Sequence, residues 1–102
     1  MKEAAIERKL VYGARRLGYE AYKFVSPGND GVPDRIIMGY GLTIYAELKT
    51  DSGRLSPIQR VQVRKLRKLG QDVRVLYGLD GVNGLLKELA ASRKEDHGIY
   101  PA

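Results

Sequence analysis

Residues 33–49 read Pro-Asp-Arg-Ile-Ile-Met-Gly-Tyr-Gly-Leu-Thr-Ile-Tyr-Ala-Glu-Leu-Lys, two short apolar runs joined by a turn that contains two glycines. Each run is bounded by turn residues and has the composition of a β-strand. Asp34 precedes the first run, and Glu47 and Lys49 end the second. Because side chains alternate across a strand, we expect Glu47 and Lys49 on one face of a sheet and Leu48 on the other.

The rest of the chain predicts an alternation of helices and strands. Apolar residues recur at helical spacing near the start, and Gly18 ends that helix. A second helix is indicated by Ser56 as N-cap, Pro57 at the first helical position and Gln59 as the capping-box partner. The predicted elements are a helix at 2–17, strands at 19–24, 35–38 and 42–49, a helix at 57–69, a strand at 72–76 and a helix from Asp80 or Gly81 to Ala91.

The composition bounds the architecture and excludes several kinds of site. With 102 residues the chain supports one domain, expected at 1–91, followed by a polar tail at 92–102. The absence of cysteine excludes disulfides, cysteine-ligated metals and thiol nucleophiles, and the single histidine, His97, argues against histidine-rich metal sites and Ser–His triads.

Charge and hydropathy indicate the partner and the compartment. Eighteen Lys and Arg residues against twelve Asp and Glu residues leave a formal net charge of +6, which suits a polyanion such as nucleic acid. No apolar run is long enough to span a membrane, and the charged N-terminal residues lack the apolar segment of a signal peptide. We therefore expect no membrane association and a cytoplasmic location, that of a bacterial host if the protein is viral.

Asp34, Glu47 and Lys49 are the residues that could carry chemistry. Carboxylates on neighbouring strands can share a Mg²⁺ ion, and a lysine beside them can orient a water molecule or stabilise developing phosphate charge. The alternative interpretation is structural: Glu47 and Lys49 would lie on a solvated strand face, and Asp34 would form an Asx turn.

These residues resemble the motif of the PD-(D/E)XK nuclease superfamily, and more narrowly that of the virus-type replication-repair nuclease (VRR-NUC) family. The resemblance extends from Glu3 to about Leu76. It is carried by Gly31-Val32-Pro33-Asp34-Arg35, Glu47-Leu48-Lys49, Gly53-Arg54-Leu55-Ser56-Pro57 and Gln59.

The resemblance implies an α/β fold with a minimal restriction-endonuclease-like core. Its element order is αβββαβ plus a C-terminal helix, with a mixed four-stranded central sheet. It also implies Mg²⁺-dependent hydrolysis of DNA phosphodiesters, with Mn²⁺ as a possible substitute. Asp34, Glu47 and the backbone carbonyl of Leu48 correspond to metal ligands, and Lys49 corresponds to the catalytic lysine.

Relatives of this minimal form are associated with branched DNA such as four-way junctions and act as homodimers. We therefore expect a structure-selective endonuclease of the Holliday-junction type. A general or end-directed nuclease of the same fold and a non-catalytic DNA-binding module are the alternatives.

Two further site residues follow from the resemblance. A carboxylate of the first helix usually joins the metal ligands, and both Glu3 and Glu7 lie on the apolar side of the helical wheel. The family's Glu-x-x-Ile spacing favours Glu3, although Glu7 stays a candidate. Gln59 corresponds to a glutamine at the edge of the active site, whereas its local pattern requires only a helix-capping role.

The expected DNA contacts come from two segments. Arg54, Arg60 and Arg64 lie before and on the second helix, where their cations could follow phosphates, although most such charge runs are only solvated. The glycine-containing loop with Ser26 and Asn29 could approach a phosphate closely through its backbone.

Overall fold

The computed structural model describes residues 1–93, which form three helices and four strands. In chain order these are α1 (Glu3–Arg16), β1 (Glu20–Lys23), β2 (Arg35–Gly39), β3 (Leu42–Lys49), α2 (Pro57–Lys68), β4 (Val73–Tyr77) and α3 (Gly78–Ser92). The predicted element order is confirmed. The predicted tail lies outside the described residues apart from Ser92 and Arg93, and Ser92 belongs to α3.

The strands form one mixed sheet in the order β1-β2-β3-β4. The pairs β1–β2 and β2–β3 are antiparallel, whereas β3 and β4 are parallel. A two-residue turn, Tyr40-Gly41, joins β2 to β3 with φ values of 51° and 79°, as expected of a tight hairpin. The mixed four-stranded sheet expected from the family resemblance is thereby confirmed.

Helices α1 and α3 cover one face of the sheet. The buried residues of α1 recur at helical spacing and pack with those of α3 and with alternate residues of the strands. On β3 the residues that enter this core are Ile44, Ala46 and Leu48. The alternation along β3 therefore directs Tyr45, Glu47 and Lys49 to the opposite face.

Helix α2 lies on that opposite face. Its buried residue, Val63, lines a common cavity with Val75 and Tyr77 of β4, whose register partners on β3 are Glu47 and Lys49. The predicted capping box is present at its start. None of the helices described in residues 1–93 is long and apolar enough to cross a membrane.

Helix α3 begins earlier than predicted, at Gly78 rather than at Asp80 or Gly81. Gly78 adopts a φ of +63°, and an added Cβ atom would collide with the Asp51 carboxylate. This positive φ lets the chain pass from β4 directly into α3 without a loop. A residue other than glycine would adopt this φ only under strain.

Candidate active site

Asp34 lies at the end of the sheet where β1, β2 and β3 meet. Its backbone N–H donates to the Ala46 carbonyl at 2.9 Å, and its carbonyl accepts from the Phe24 N–H at 3.0 Å. The Leu48 N–H donates to Asp34 Oδ2 at 2.8 Å. Three backbone-linked contacts therefore hold the carboxylate in place beside the carboxyl end of β3.

Glu47 is buried on β3, with an exposed fraction of 1%. Its Oε2 accepts a hydrogen bond from Gln59 Nε2 at 3.2 Å and lies 3.6 Å from Lys49 Nζ. Its Oε1 is buried and has no hydrogen-bond partner among residues 1–93. The structural alternative of an ordinary solvated strand face is therefore wrong for Glu47.

Glu3 of α1 joins Asp34 and Glu47. One carboxylate oxygen from each of the three lies within 4.8 Å of the others, and their burial ranges from exposed Glu3 to fully buried Glu47. Two carboxylate charges at such a separation repel by about 3 kcal/mol when the effective dielectric constant is about 20. We call these three side chains the carboxylate cluster.

The surroundings of Glu47 disfavour its ionised form. Burial raises the pKa of Glu47 to about 7, the negative charge of Asp34 adds to the rise, and the Lys49 ammonium opposes it. A bound cation would favour the ionised form of Glu47, because its positive charge would offset the negative charges of the neighbouring carboxylates. It would also give Oε1 a partner.

The donor set fits a hard divalent cation. Mg²⁺ takes oxygen ligands, is usually held by one or two carboxylates, and keeps several of its waters, for which the exposed side of Glu3 leaves room. The unpartnered Glu47 oxygen is the structural sign of such an ion, because a buried oxygen without a partner is costly. The ligand role of the Leu48 carbonyl stays a prediction.

Glu7 has a different partner. Its Oε2 accepts from Arg35 Nε at 2.7 Å, and the exposed fractions of the two side chains are 23% and 19%. Arg35 also donates to the Ala21 carbonyl at 3.2 Å. Of the two first-helix candidates, Glu3 therefore lies in the carboxylate cluster, whereas Glu7 lies in an ion pair. Sequence reasoning did not identify this partner, which is 28 residues away in the chain.

Gln59 makes the predicted capping-box contacts and also bonds to Glu47. Its Oε1 accepts from the Ser56 N–H at 2.9 Å, and its own N–H donates to Ser56 Oγ at 3.2 Å. Its Nε2 donates to Glu47 Oε2 at the same time. The capping box thus fixes the amide so that the NH₂ group faces the carboxylate cluster.

The predicted DNA contacts lie outside the carboxylate cluster. Arg54, Arg60 and Arg64 are exposed, and the latter two line a cavity of about 470 Å³ beside β4. Asn29 Nδ2 donates to Ser26 Oγ at 3.0 Å, so these two side chains are bonded to each other.

Arg67 differs from the other basic residues of α2. Its guanidinium donates twice to the Val73 carbonyl, at 3.0 and 2.7 Å, and therefore ties α2 to the start of β4.

Comparisons with known proteins give a relative and several structures of the same fold. No protein-family model matches the chain. A curated protein of Acyrthosiphon pisum secondary endosymbiont phage 1, "Putative nuclease p44", is 41% identical over 81 residues, which cover 78% of this chain and 87% of the relative.

Three solved structures share the fold. One named "VRR_NUC domain" has a TM-score of 0.78 at 23% identity, with 83% of this chain and 94% of that chain covered. A second, "VRR_NUC domain protein", has a TM-score of 0.73 at 18% identity, with 90% of each chain covered. The third is Archaeoglobus fulgidus Hjc, described as a Holliday junction resolvase, with a TM-score of 0.56 at 20% identity over 74% of this chain and 67% of that one.

Proposed function

Since this chain belongs to the VRR-NUC family, we propose that it is a DNA endonuclease that hydrolyses phosphodiester bonds with a divalent metal ion, Mg²⁺ or Mn²⁺. Its proposed substrate is branched DNA of the Holliday-junction type. The observation that carries the proposal is the carboxylate cluster. Within it, Glu47 Oε1 is buried without a partner among residues 1–93, and the other carboxylate oxygen of Glu47 contacts Lys49. The names of the phage relative and of the archaeal resolvase agree with this chemistry.

The carboxylate cluster would hold the cation, with the Leu48 carbonyl as a further ligand. A bound divalent cation supplies Lewis-acid stabilisation of the charge that develops on the phosphate during hydrolysis. The chain orients two of the carboxylates in advance, because the Leu48 N–H holds Asp34 and the Gln59 amide holds Glu47. Such fixed donors lower the cost of reorganisation when the substrate binds.

Lys49 is the group that would act on the reacting phosphate. Its side chain is 13% exposed, and its Nζ lies beside Glu47. In the hydrolysis a water oxygen forms a bond to phosphorus, one phosphorus–oxygen ester bond breaks, and the departing oxygen receives a proton while the attacking water loses one. An ammonium at this position can donate to the water and to the phosphoryl oxygen, where negative charge increases in the transition state.

The proposed assembly is a homodimer. One chain contributes one carboxylate cluster among its described residues, whereas resolving a four-way junction requires two symmetric cuts. A two-fold dimer would supply both sites at a fixed separation, and this symmetry is the commonest among oligomers. Light scattering at the working concentration should give twice the mass of the chain, and a strict monomer would contradict this part of the proposal.

The test compares Lys49→Ala with Lys87→Ala, which removes an exposed lysine of α3 on the other face of the sheet. Four-way junction, flap, duplex and single-stranded DNA are incubated with each protein in Mg²⁺ and in EDTA. Lys49→Ala should lower the cleavage rate by about 100-fold or more, because it removes transition-state stabilisation. Its DNA affinity should stay within about threefold of the wild-type value, since a catalytic lysine acts on the transition state more than on ground-state binding.

Each outcome bears on a different part of the proposal. Cleavage in EDTA would contradict the metal requirement, and full activity of Lys49→Ala would contradict the role of the lysine. Equal cutting of linear duplex and junction would favour a general nuclease. DNA binding without any cutting would favour a non-catalytic module.

A further inference from the structure

A second basic surface lies on the side of the sheet opposite to α2. A groove of about 250 Å³ runs between α1 and the strands β1 and β2. Its cationic lining consists of Arg8 and Arg15 of α1, Lys23 of β1 and Arg35 of β2, and its one carboxylate is that of Glu7. We call it the α1–β1 groove.

Two of the four cations in the groove are already neutralised. Arg35 is paired with Glu7 at 2.7 Å, and Arg15 is paired with Glu20 at 2.8 Å. Arg8 and Lys23 are exposed and have no ion-pair partner within residues 1–93. The groove therefore presents two uncompensated positive charges, which suit an anionic ligand.

The groove begins beside the carboxylate cluster. Arg35 directly follows Asp34, and Glu7 lies one helical turn from Glu3. Strand alternation directs Arg35 and Lys23 to the face covered by α1, because they lie two residues from the core residues Ile37 and Ala21. The carboxylate cluster thus lies between the groove on one face and the basic helix α2 on the other.

The length and chemistry of the groove fit a nucleic-acid strand. From Ala4 to Arg15 the α1 side of the groove spans 11 residues of helix, or about 16 Å at the helical rise. Measured along the axis of duplex DNA, this length equals about five base-pair steps. Tyr12 also lines the groove and is 62% exposed, so its ring is available to a base or a sugar.

A linear duplex that follows the α2 face would not reach the α1–β1 groove, because the sheet separates the two. We propose that the α1–β1 groove binds the phosphate backbone of a second arm of branched DNA, while α2 contacts the first arm. This inference rests on the proposed function and specifies its substrate: DNA whose arms diverge at the carboxylate cluster. It also assigns a DNA contact to Arg8 and Lys23.

The test is a binding measurement on the full chain with the double variant Arg8→Ala/Lys23→Ala. The matched control is Lys9→Ala/Arg16→Ala, which also removes two positive charges but from the surface between α1 and α3. Fluorescence anisotropy in EDTA, where metal-dependent cleavage is absent, compares a four-way junction with a linear duplex of the same sequence. Thermal unfolding of both variants checks that the fold is retained.

The groove variant should weaken junction binding by roughly tenfold or more at about 0.1 M salt, since each lost phosphate contact removes the release of about one counterion. It should change duplex binding no more than the control does. Equal losses on junction and duplex, or a junction loss no larger than that of the control, would overturn the inference. A wild-type protein that binds junctions in this way but cuts no DNA in Mg²⁺ would contradict the proposed nuclease and leave the groove assignment intact.

Discussion

Glu47 is the residue whose environment differs most from that of an ordinary glutamate. It is 1% exposed, and its pKa is raised to about 7 mainly by burial. In the metal-free protein the folded state therefore holds a proton between pH 4.5 and 7 that the unfolded chain releases. Because the folded state then binds more protons, the free energy of unfolding falls as the pH rises through this range.

Glu47→Gln should remove this pH dependence, because glutamine resembles the protonated carboxyl group. The measured quantity is the free energy of unfolding of the variant minus that of the wild type, in EDTA. We expect this difference, called the gap below, to rise by about 3 kcal/mol between pH 4 and pH 8, because only the wild type loses stability over this range. Urea unfolding at both pH values measures the gap. Added Mg²⁺ at pH 8 should narrow it, since the cation stabilises only a chain that binds it. A gap that does not change with pH would contradict the buried, proton-holding state of Glu47.

At the scale of elements, the start of α2 combines a helix cap with a site contact. Ser56 Oγ accepts from the Gln59 N–H, and the Gln59 side chain bonds both to the Ser56 backbone and to Glu47. The cap stabilises the helix, whereas the amide orients the carboxylate. Substitutions at the two positions should therefore separate stability from activity.

Ser56→Ala should lower the free energy of unfolding by about 1 kcal/mol and leave the cleavage rate within about threefold of the wild-type rate, since the Ser56 N–H still holds Gln59. Gln59→Ala should lower the rate by about tenfold or more, because Glu47 Oε2 loses its amide donor. Urea unfolding and single-turnover cleavage measure the two effects, with Ser52→Ala in the exposed loop as control. A larger loss of activity in Ser56→Ala than in Gln59→Ala would contradict this division of roles.

The elements that local patterns define could be predicted from the sequence. Strand β3 has the predicted bounds, and the capping box at Ser56 is present as predicted. Both depend on neighbours within a few residues, through side-chain alternation and through hydrogen bonds between the first residues of a helix. The early start of α3 at Gly78 could not be predicted in this way, because it depends on a positive φ that the order of glycines does not reveal.

The parts of the site that were not predictable depend on contacts between distant residues. Glu3 and Glu7 share one side of the α1 wheel, and only the contact of Glu7 with Arg35 in β2 separates them. The Gln59–Glu47 hydrogen bond likewise joins α2 to β3. The helical period identifies the side of a helix that faces the protein, but it does not identify the side chain met there.

At the scale of the whole molecule, exposed basic residues lie on both faces of the sheet within residues 1–93. Arg60 and Arg64 are exposed on α2, and the α1–β1 groove lies on the other face. DNA binding that neutralises several phosphates weakens steeply with salt. The salt dependence of DNA affinity, measured for variants of each surface, therefore gives the number of phosphate contacts that the surface makes.

Arg60→Ala/Arg64→Ala should reduce the slope of log affinity against log salt concentration by about 1 to 2 for duplex DNA, because each lost phosphate contact accounts for about 0.9. The sequences that are cut should not change, since phosphate contacts carry no sequence information. Titrations at several salt concentrations, with Lys9→Ala/Arg16→Ala as control, measure the slope. An unchanged slope would show that Arg60 and Arg64 do not contact the phosphates.

The parallel pairing of β3 with β4 has a consequence for the moment at which activity begins during biosynthesis. All four proposed catalytic positions, Asp34, Glu47, Lys49 and Gln59, have been translated before residue 60, yet β3 acquires its second neighbour only with Val73–Tyr77. A parallel partner cannot pair until the intervening crossover is complete, and such non-local pairing forms late in folding. At about 5–20 residues per second, the ribosome needs about one to four seconds to add residues 60–77. A nascent chain of 60 residues therefore carries the whole proposed catalytic set without β4, so that the complete sheet behind these residues forms only after Tyr77 has been translated.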